Sequence, residues 1–217
     1  MISACIFDLD GVIVDTAKFH FIAWRELAQK LGFNFTEKDN EKLKGVSRMR
    51  SLDILLEVGG LNFDKQKKLE LATEKNDRYV ELIKTLTPAD ILPGVLDFLT
   101  DLKTKNYKIA LGSASKNAMT ILQNINLVDF FDAIIDGTKI SKAKPDPEVF
   151  LLGATEINKK PEECIVFEDA QAGIEAAKSA KMYAIGIGKT ENLKGADIIL
   201  NDFLAQNIDN LTKKLTR

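Results

Sequence analysis

Four short apolar runs, each ending abruptly in a cluster of polar residues or glycine, constrain this chain more than any other feature. Ile2–Phe7 stops at Asp8-Leu9-Asp10-Gly11, Tyr107–Leu111 at Gly112-Ser113-Ala114-Ser115, Cys164–Phe167 at Glu168-Asp169, and Met182–Ile187 at Gly188-Lys189. Ala133–Ile135, ending at Asp136-Gly137, is a weaker fifth run. Short, continuously apolar runs read as strands buried on both faces. Between them, Val95–Lys105, Asn117–Asn124, Pro147–Ile157 and Gln171–Lys181 carry apolar residues at three- and four-residue spacing, the pattern of helices with one buried face. Strands alternating with helices predict a parallel sheet covered on both sides. In such sheets ligands bind beyond the carboxyl ends of the strands, which is where each of the polar clusters falls.

Residues 15 to 87 break the alternation. Only helical patterns occur there, over Phe19–Leu31, Arg50–Val58 and Lys65–Leu86, with no strand-like run between them. The expectation is therefore an α/β fold: a Rossmann-like parallel-sheet core, residues 1–14 and 88–217, with a helical cap domain, residues 15–87, inserted after the first strand. The seams fall at Val14-Asp15 and Thr87-Pro88. Such an insert acts either as a lid over a strand-end site or as a rigid helical subdomain. The last stretch, Asn207–Arg217, reads as a surface helix.

The chain has 217 residues, of which 45% are hydrophobic and 29% charged, enough for a sizeable core in a soluble globular protein. A formal net charge of -2 gives no support to a nucleic-acid surface, and none is expected. Cys5 and Cys164 lie in or beside apolar runs and read as packed free thiols, which suits a reducing compartment. The N-terminal segment lacks a charged region ahead of its short apolar run, and no stretch approaches the roughly 18 apolar residues of a membrane span. A cytoplasmic location with no membrane association is expected.

The chemistry sits in the clusters. Asp8 and Asp10 at the end of a buried strand repel one another and need a cation or a proton to be tolerated; the alternative is a plain Asp-Gly turn. Magnesium is the usual partner of carboxylate oxygens near phosphate. Ser113 and Ser115 precede a helix and either bind phosphate or cap that helix. Lys144 stands in Lys142-Ala143-Lys144-Pro145-Asp146-Pro147, where two prolines stiffen a loop that aims it, unless it is a solvated surface lysine. Glu168 and Asp169 either complement a helix dipole or complete a magnesium site with Asp8. In order along the chain, these four clusters point to magnesium-dependent phosphoryl transfer with Asp8 as nucleophile.

Asp8-Leu9-Asp10-Gly11-Val12, Ser113, Lys144 and Glu168-Asp169 resemble the four motifs of the haloacid dehalogenase-like superfamily, and the resemblance spans essentially the whole chain. The doubled acid of the first motif implies a phosphoryl-transfer branch, not a dehalogenase. Finer features resemble the β-phosphoglucomutases: Leu43-Lys44-Gly45-Val46-Ser47-Arg48 with Ser51, Lys75-Asn76-Asp77, Asp15-Thr16 with His20 and Trp24, Ser113-Ala114-Ser115-Lys116-Asn117, and Glu168 through Ile174. Gly112 departs mildly, since a small alanine would be unsurprising there.

The resemblance implies a mutase that interconverts β-D-glucose 1-phosphate and glucose 6-phosphate through an aspartyl phosphate on Asp8. β-Glucose 1,6-bisphosphate would be both intermediate and activator. Asp10 would be the general acid and base. Magnesium would be held by the Asp8 carboxylate, the Asp10 backbone carbonyl and Asp169, with Glu168 in direct or water-mediated support. Lys144 would offset charge on the transferring group, and Ser113 with the Ala114 N–H would hold its oxygens. Arg48, with Ser115, Lys116 and Asn117, would grip the distal phosphate, because a guanidinium meets phosphate oxygens as a fork. Thr16, Lys44, Gly45, Val46, Ser51 and Lys75 would meet the sugar or close over it. His20 would hold Asp10 or the cap, and Trp24, four residues on along the same helix face, would pack. The partners implied are small sugar phosphates, acting on a monomer. The competing activity is hydrolysis of a hexose phosphate or another small phosphate ester by the same core residues. A non-catalytic phosphate-binding module would need no nucleophile, and the set of Asp8, Asp10, Lys144 and Asp169 argues against it.

Overall fold

The computed structural model describes residues 1–43 and 46–215, with the backbone alone at 190. It divides into two compact units, 1–15 with 87–217, and 16–86. Among the described residues the first unit carries six parallel strands: β1 (Ala4–Phe7), β2 (Lys108–Gly112), β3 (Ala133–Ile135), β4 (Cys164–Glu168), β5 (Tyr183–Ile187) and β6 (Ile198–Leu200). Their order is β3-β2-β1-β4-β5-β6. The chain runs outward from β1 to one edge and then returns to build the other, so the switch point lies at the carboxyl ends of β1 and β4.

The helices of this unit are packed by the faces the sequence gives them. Alternate residues of a strand point to opposite sides. Phe7 and Phe167, on neighbouring strands, stack at 4.7 Å, and Phe98 and Phe203 close around them on that side of the sheet. Ile6, Ala110 and Val166 face the other way, into a cluster with Val149, Phe150 and Ile174. Cys5 and Cys164 are buried free thiols, and burial, with Cys5 and Cys164 also repelling one another as thiolates, raises the Cys5 thiol well above its ordinary value.

The sheet has a sixth strand that the apolar pattern did not announce. Asp197, just ahead of β6, donates its N–H to the Ala184 carbonyl and accepts the Ala184 N–H on its carboxylate, both at 2.8 Å. Asp132, just ahead of β3 at the opposite edge, does the same with Ile109, at 2.7 and 2.8 Å. Each edge strand is thus started by an aspartate that mimics a further strand residue. Three apolar residues suffice for β6 because β5, the strand it pairs with, sets its register.

The second unit is helical: α1 (Ala17–Lys30), α2 (Glu37–Asn40), α3 (Arg48–Val58) and α4 (Lys65–Ile83). Trp24, Leu27, Leu52, Leu55, Leu56 and Leu71 form its core. Side chains cap the starts: Asp64 accepts the Lys67 N–H at 2.8 Å, and Ser47 accepts the Arg50 N–H at 3.3 Å. The short α2 has no apolar periodicity, and comes instead from a reciprocal cap between Thr36 and Asp39. In the first unit the remaining helices are α5 (Val95–Thr104), α6 (Ala118–Asn124), α7 (Glu148–Glu156), α8 (Gln171–Ser179) and α9 (Ile208–Leu215). No described helix is long and apolar enough to cross a membrane.

Candidate active site

The register of the central strands assembles the site. Phe7 pairs with Phe167 on one side and with Leu111 on the other. The next residue of each strand is therefore level with its neighbours: Asp8 beside Glu168 and Gly112. Asp8 donates its N–H to the Phe167 carbonyl at 2.9 Å, which carries the ladder one step past β1. Two glycines make room for the acids. Gly11, at φ 78°, turns the chain after Asp10, and a Cβ there would run into the Asp169 carboxylate. A Cβ on Gly173, in the first turn of α8, would occupy the place of the Glu168 carboxylate.

Lys144 reaches this point from the loop before α7. Its Nζ lies 2.6 Å from Asp8 Oδ1 and 2.8 Å from Glu168 Oε2. All three side chains are buried, Lys144 and Asp8 being 6% exposed and Glu168 1%. Glu148 holds the loop: its carboxylate accepts the Ser141 N–H and hydroxyl and the Lys142 N–H, the last at 2.6 Å. Those backbone bonds pull the Glu148 carboxyl below the ordinary range. Asp146 accepts the Glu148 N–H at 3.0 Å, and the Lys144–Pro145 peptide is cis. Burial works against the Lys144 charge, but the Asp8 and Glu168 carboxylates more than offset it and leave Lys144 above the ordinary lysine value. Glu168 moves the other way, to about 7: burial raises it, Lys144 opposes, and the Asp8 charge adds to the rise.

The carboxylates of Asp8, Glu168 and Asp169 offer oxygens that all lie within 4.8 Å of one another. Carboxylate oxygens this close together suit a divalent cation with oxygen ligands. The Asp10 carboxylate is not part of this cluster.

Ser113 follows β2 and is 1% exposed. It donates its N–H to the Ile135 carbonyl at 2.9 Å and accepts the Ser115 N–H on its hydroxyl at 3.1 Å. Ser115 in turn accepts the Asn117 N–H at 3.2 Å, ahead of α6. Ala114, Ser115 and Asn117 are partly buried and Lys116 is exposed.

The helical unit holds a second polar cluster. Lys75 on α4 is 4% exposed, with its Nζ 2.8 Å from His20 Nδ1 on α1. An ammonium can only donate, so Nδ1 accepts and the ring proton is on Nε2. The same ammonium sits 4.5 Å from the Trp24 ring centre and 4.8 Å from that of Tyr79, and His20 stacks on Tyr79 at 4.0 Å. Burial, then the charges of Lys75 and Arg48, holds His20 well below the ordinary imidazole value. Arg48 opens α3, is partly buried, and is lowered by desolvation against the pull of Asp77. Thr16 and Ser51 are buried, Val46 is partly buried, and Lys44 and Gly45 lie outside the described residues.

The structure thus brings Asp8, Lys144, Glu168 and Asp169 together in one unit, and His20, Trp24 and Lys75 in the other. Glu148 and Tyr79 were missed. Tyr79 had a signal, lying four residues after Lys75 on α4; Glu148 had none, because its role depends on the loop folding back seven residues.

A sequence model of the haloacid dehalogenase-like hydrolases matches residues 2–181. The chain is 46% identical to the β-phosphoglucomutase of Bacillus subtilis (strain 168) over 199 residues, covering 91% of this chain and 88% of that one. It is 36% identical to a phosphorylated carbohydrates phosphatase of Thermotoga maritima, covering 82% and 81%. The crystal structure of a β-phosphoglucomutase from Clostridium difficile superposes with a TM-score of 0.94 at 47% identity, covering 100% and 98%. The chain belongs to the haloacid dehalogenase-like hydrolase family, grouping there with the β-phosphoglucomutases.

Proposed function

We propose that the chain interconverts β-D-glucose 1-phosphate and glucose 6-phosphate. The observation that carries this reading is the buried Lys144 ammonium bridging Asp8 and Glu168, beside Asp169, in a chain so similar to β-phosphoglucomutases. A buried carboxylate held by an ammonium at the end of a central strand supports the reading of Asp8 as a nucleophile at a phosphate site.

In the first step an Asp8 carboxylate oxygen forms a bond to phosphorus as the bond from phosphorus to the sugar oxygen breaks, giving an aspartyl phosphate. Asp10 gives its proton to the departing oxygen, and takes one from the incoming hydroxyl in the return step. Ser113 and the Ala114 N–H hold the phosphoryl oxygens, and Lys144 offsets their charge. Magnesium, held by the Asp8 and Asp169 carboxylates and the Asp10 carbonyl with Glu168 in support, would supply further positive charge for the transferring group. Arg48, with Ser115, Lys116 and Asn117, grips the other phosphate of the sugar. Thr16, Val46, Ser51, Lys75, His20 and Trp24, with Lys44 and Gly45, serve the sugar or the closing of residues 16–86 as a cap. β-Glucose 1,6-bisphosphate serves as intermediate and activator, and the enzyme works as a cytoplasmic monomer on small sugar phosphates.

The phosphatase relative favours a second reading, hydrolysis of a sugar phosphate by the same core. One experiment separates the two. The protein is given β-glucose 1-phosphate, magnesium and a trace of the 1,6-bisphosphate, and glucose 6-phosphate and free phosphate are followed together. Glucose 6-phosphate is expected to exceed free phosphate by about 100-fold, which needs only about 2.7 kcal/mol of barrier difference. Free phosphate as the main product from every hexose phosphate tried would establish the phosphatase.

A further inference from the structure

Lys144 has a third neighbour besides its two acids. Its Nζ lies over the ring of Phe150, 4.8 Å from the centroid. Phe150 is fully buried in the first turn of α7, six residues after the lysine, and donates its N–H to the Pro147 carbonyl at 3.1 Å. The ring lies under the end of β2: a Cβ on Gly112 would come 2.8 Å from Phe150 Cδ1 and 3.0 Å from Cε1, with Ile6 Cγ2 at 3.3 Å. The missing side chain at Gly112 is thus the space the ring needs.

We infer that Phe150 is a positioning residue for Lys144, with Gly112 as the residue that admits it: the ring face seats the ammonium that Asp8 and Glu168 also hold. An ammonium has three N–H donors, and two of them go to Asp8 and Glu168. A buried ammonium still needs an electronegative surface for the remainder, and a ring face provides one. A further acceptor of the usual kind, a carboxylate, would add charge to a cluster that already holds Asp8, Glu168 and Asp169. The ring instead holds the cation without changing the charge of the site. It also limits how far the lysine can follow Asp8 when that carboxylate becomes phosphorylated, which keeps the ammonium against the transferring group.

This inference rests on the phosphoryl-transfer reading for its catalytic consequence, and its structural part can be tested without activity. Phenylalanine carrying one, two or three ring fluorines is placed at position 150. Fluorine draws charge from the ring face while nearly keeping its shape. The series is made with Lys144 present and in a Lys144→Met background. With Lys144 present, the unfolding equilibrium is expected to shift toward the unfolded state with each fluorine, by about tenfold across the series, and the shift should vanish in Lys144→Met. The rate constant for phosphorylation of the protein by saturating sugar bisphosphate should fall by about tenfold with KM unchanged. Equal stability losses in both backgrounds would overturn the inference and leave Phe150 as packing. If Lys144→Met does not fold, the fluorine series with Lys144 present decides: a kcat that ignores the ring charge overturns it. Loss of mutase activity in the parent protein, with the stability coupling intact, would count against the proposed reaction and for the seat.

Discussion

Among the described residues two lysines are buried, and their settings differ. Lys144, in the sheet unit, is fixed between two carboxylates at 2.6 and 2.8 Å. Lys75, in the helical unit, is held at 2.8 Å by an imidazole nitrogen and by the faces of Trp24 and Tyr79. Acids fix a cation by cancelling it, and each partner then depends on the other. Lys75 donates to a ring nitrogen, and its charge, after burial, helps keep His20 unprotonated. The first arrangement joins a cation to two acids; the second sets a cation against an imidazole and two ring faces.

The comparison can be broken first at its acid partner. Asp8→Asn leaves volume nearly unchanged but removes the attacking oxygen's charge, and turnover of β-glucose 1-phosphate is expected to fall by about 10⁴-fold or more. The fold should persist, as judged by circular dichroism. Near-normal turnover would show that Asp8 is not the nucleophile.

The next test exchanges each lysine for methionine. In metal-free protein Lys144→Met leaves Asp8 and Glu168 facing one another, and should cost about 3–5 kcal/mol in urea unfolding. Lys75→Met removes the donor to His20 Nδ1 and the cation from the Trp24 and Tyr79 ring faces, and should cost less, about 1–2 kcal/mol. Equal costs would mean the two settings are energetically alike.

The last test concerns pH. His20 is the chain's only histidine, and its folded value lies below the ordinary 6.5. Above that value the imidazole is neutral in both states and its contribution is fully present. Below it the unfolded chain takes up a proton that the folded one refuses, so stability falls with pH by up to about 1.4 kcal/mol per unit. Subtracting the unfolding free energy of His20→Gln from that of the parent across this range isolates the slope. A difference that grows on acidification in the opposite sense would show that the cluster binds the proton, with Lys75 yielding.

Much of the architecture was legible because it follows from burial. β1, β2, β4 and β5 are apolar runs stopped by polar clusters, and the helical patterns between them fixed a parallel sheet with an all-helical insert. What was not legible depended on partners distant in sequence or on bonds without an apolar signature. β6 is three residues long and exists because Asp197 and the Gly188 N–H tie it to its neighbours. Two prolines marked the loop of Lys144 but could not reveal Glu148 as its fastening. The polar cluster of the helical unit joins α1 to α4: the four-residue spacing puts Tyr79 beside Lys75, but its stacking on His20 spans a separation that no local pattern encodes.

The Glu148 fastening has a consequence for how this protein can change. Its carboxylate closes residues 141–148 into a ring by bonds to the Ser141 and Lys142 backbone, with Lys144 at a fixed place on the circumference. Such a ring has a set circumference. One added or deleted residue would rotate the lysine away from Asp8 even if every side chain were kept. Substitutions at the exposed positions of that loop can accumulate, whereas changes of length cannot.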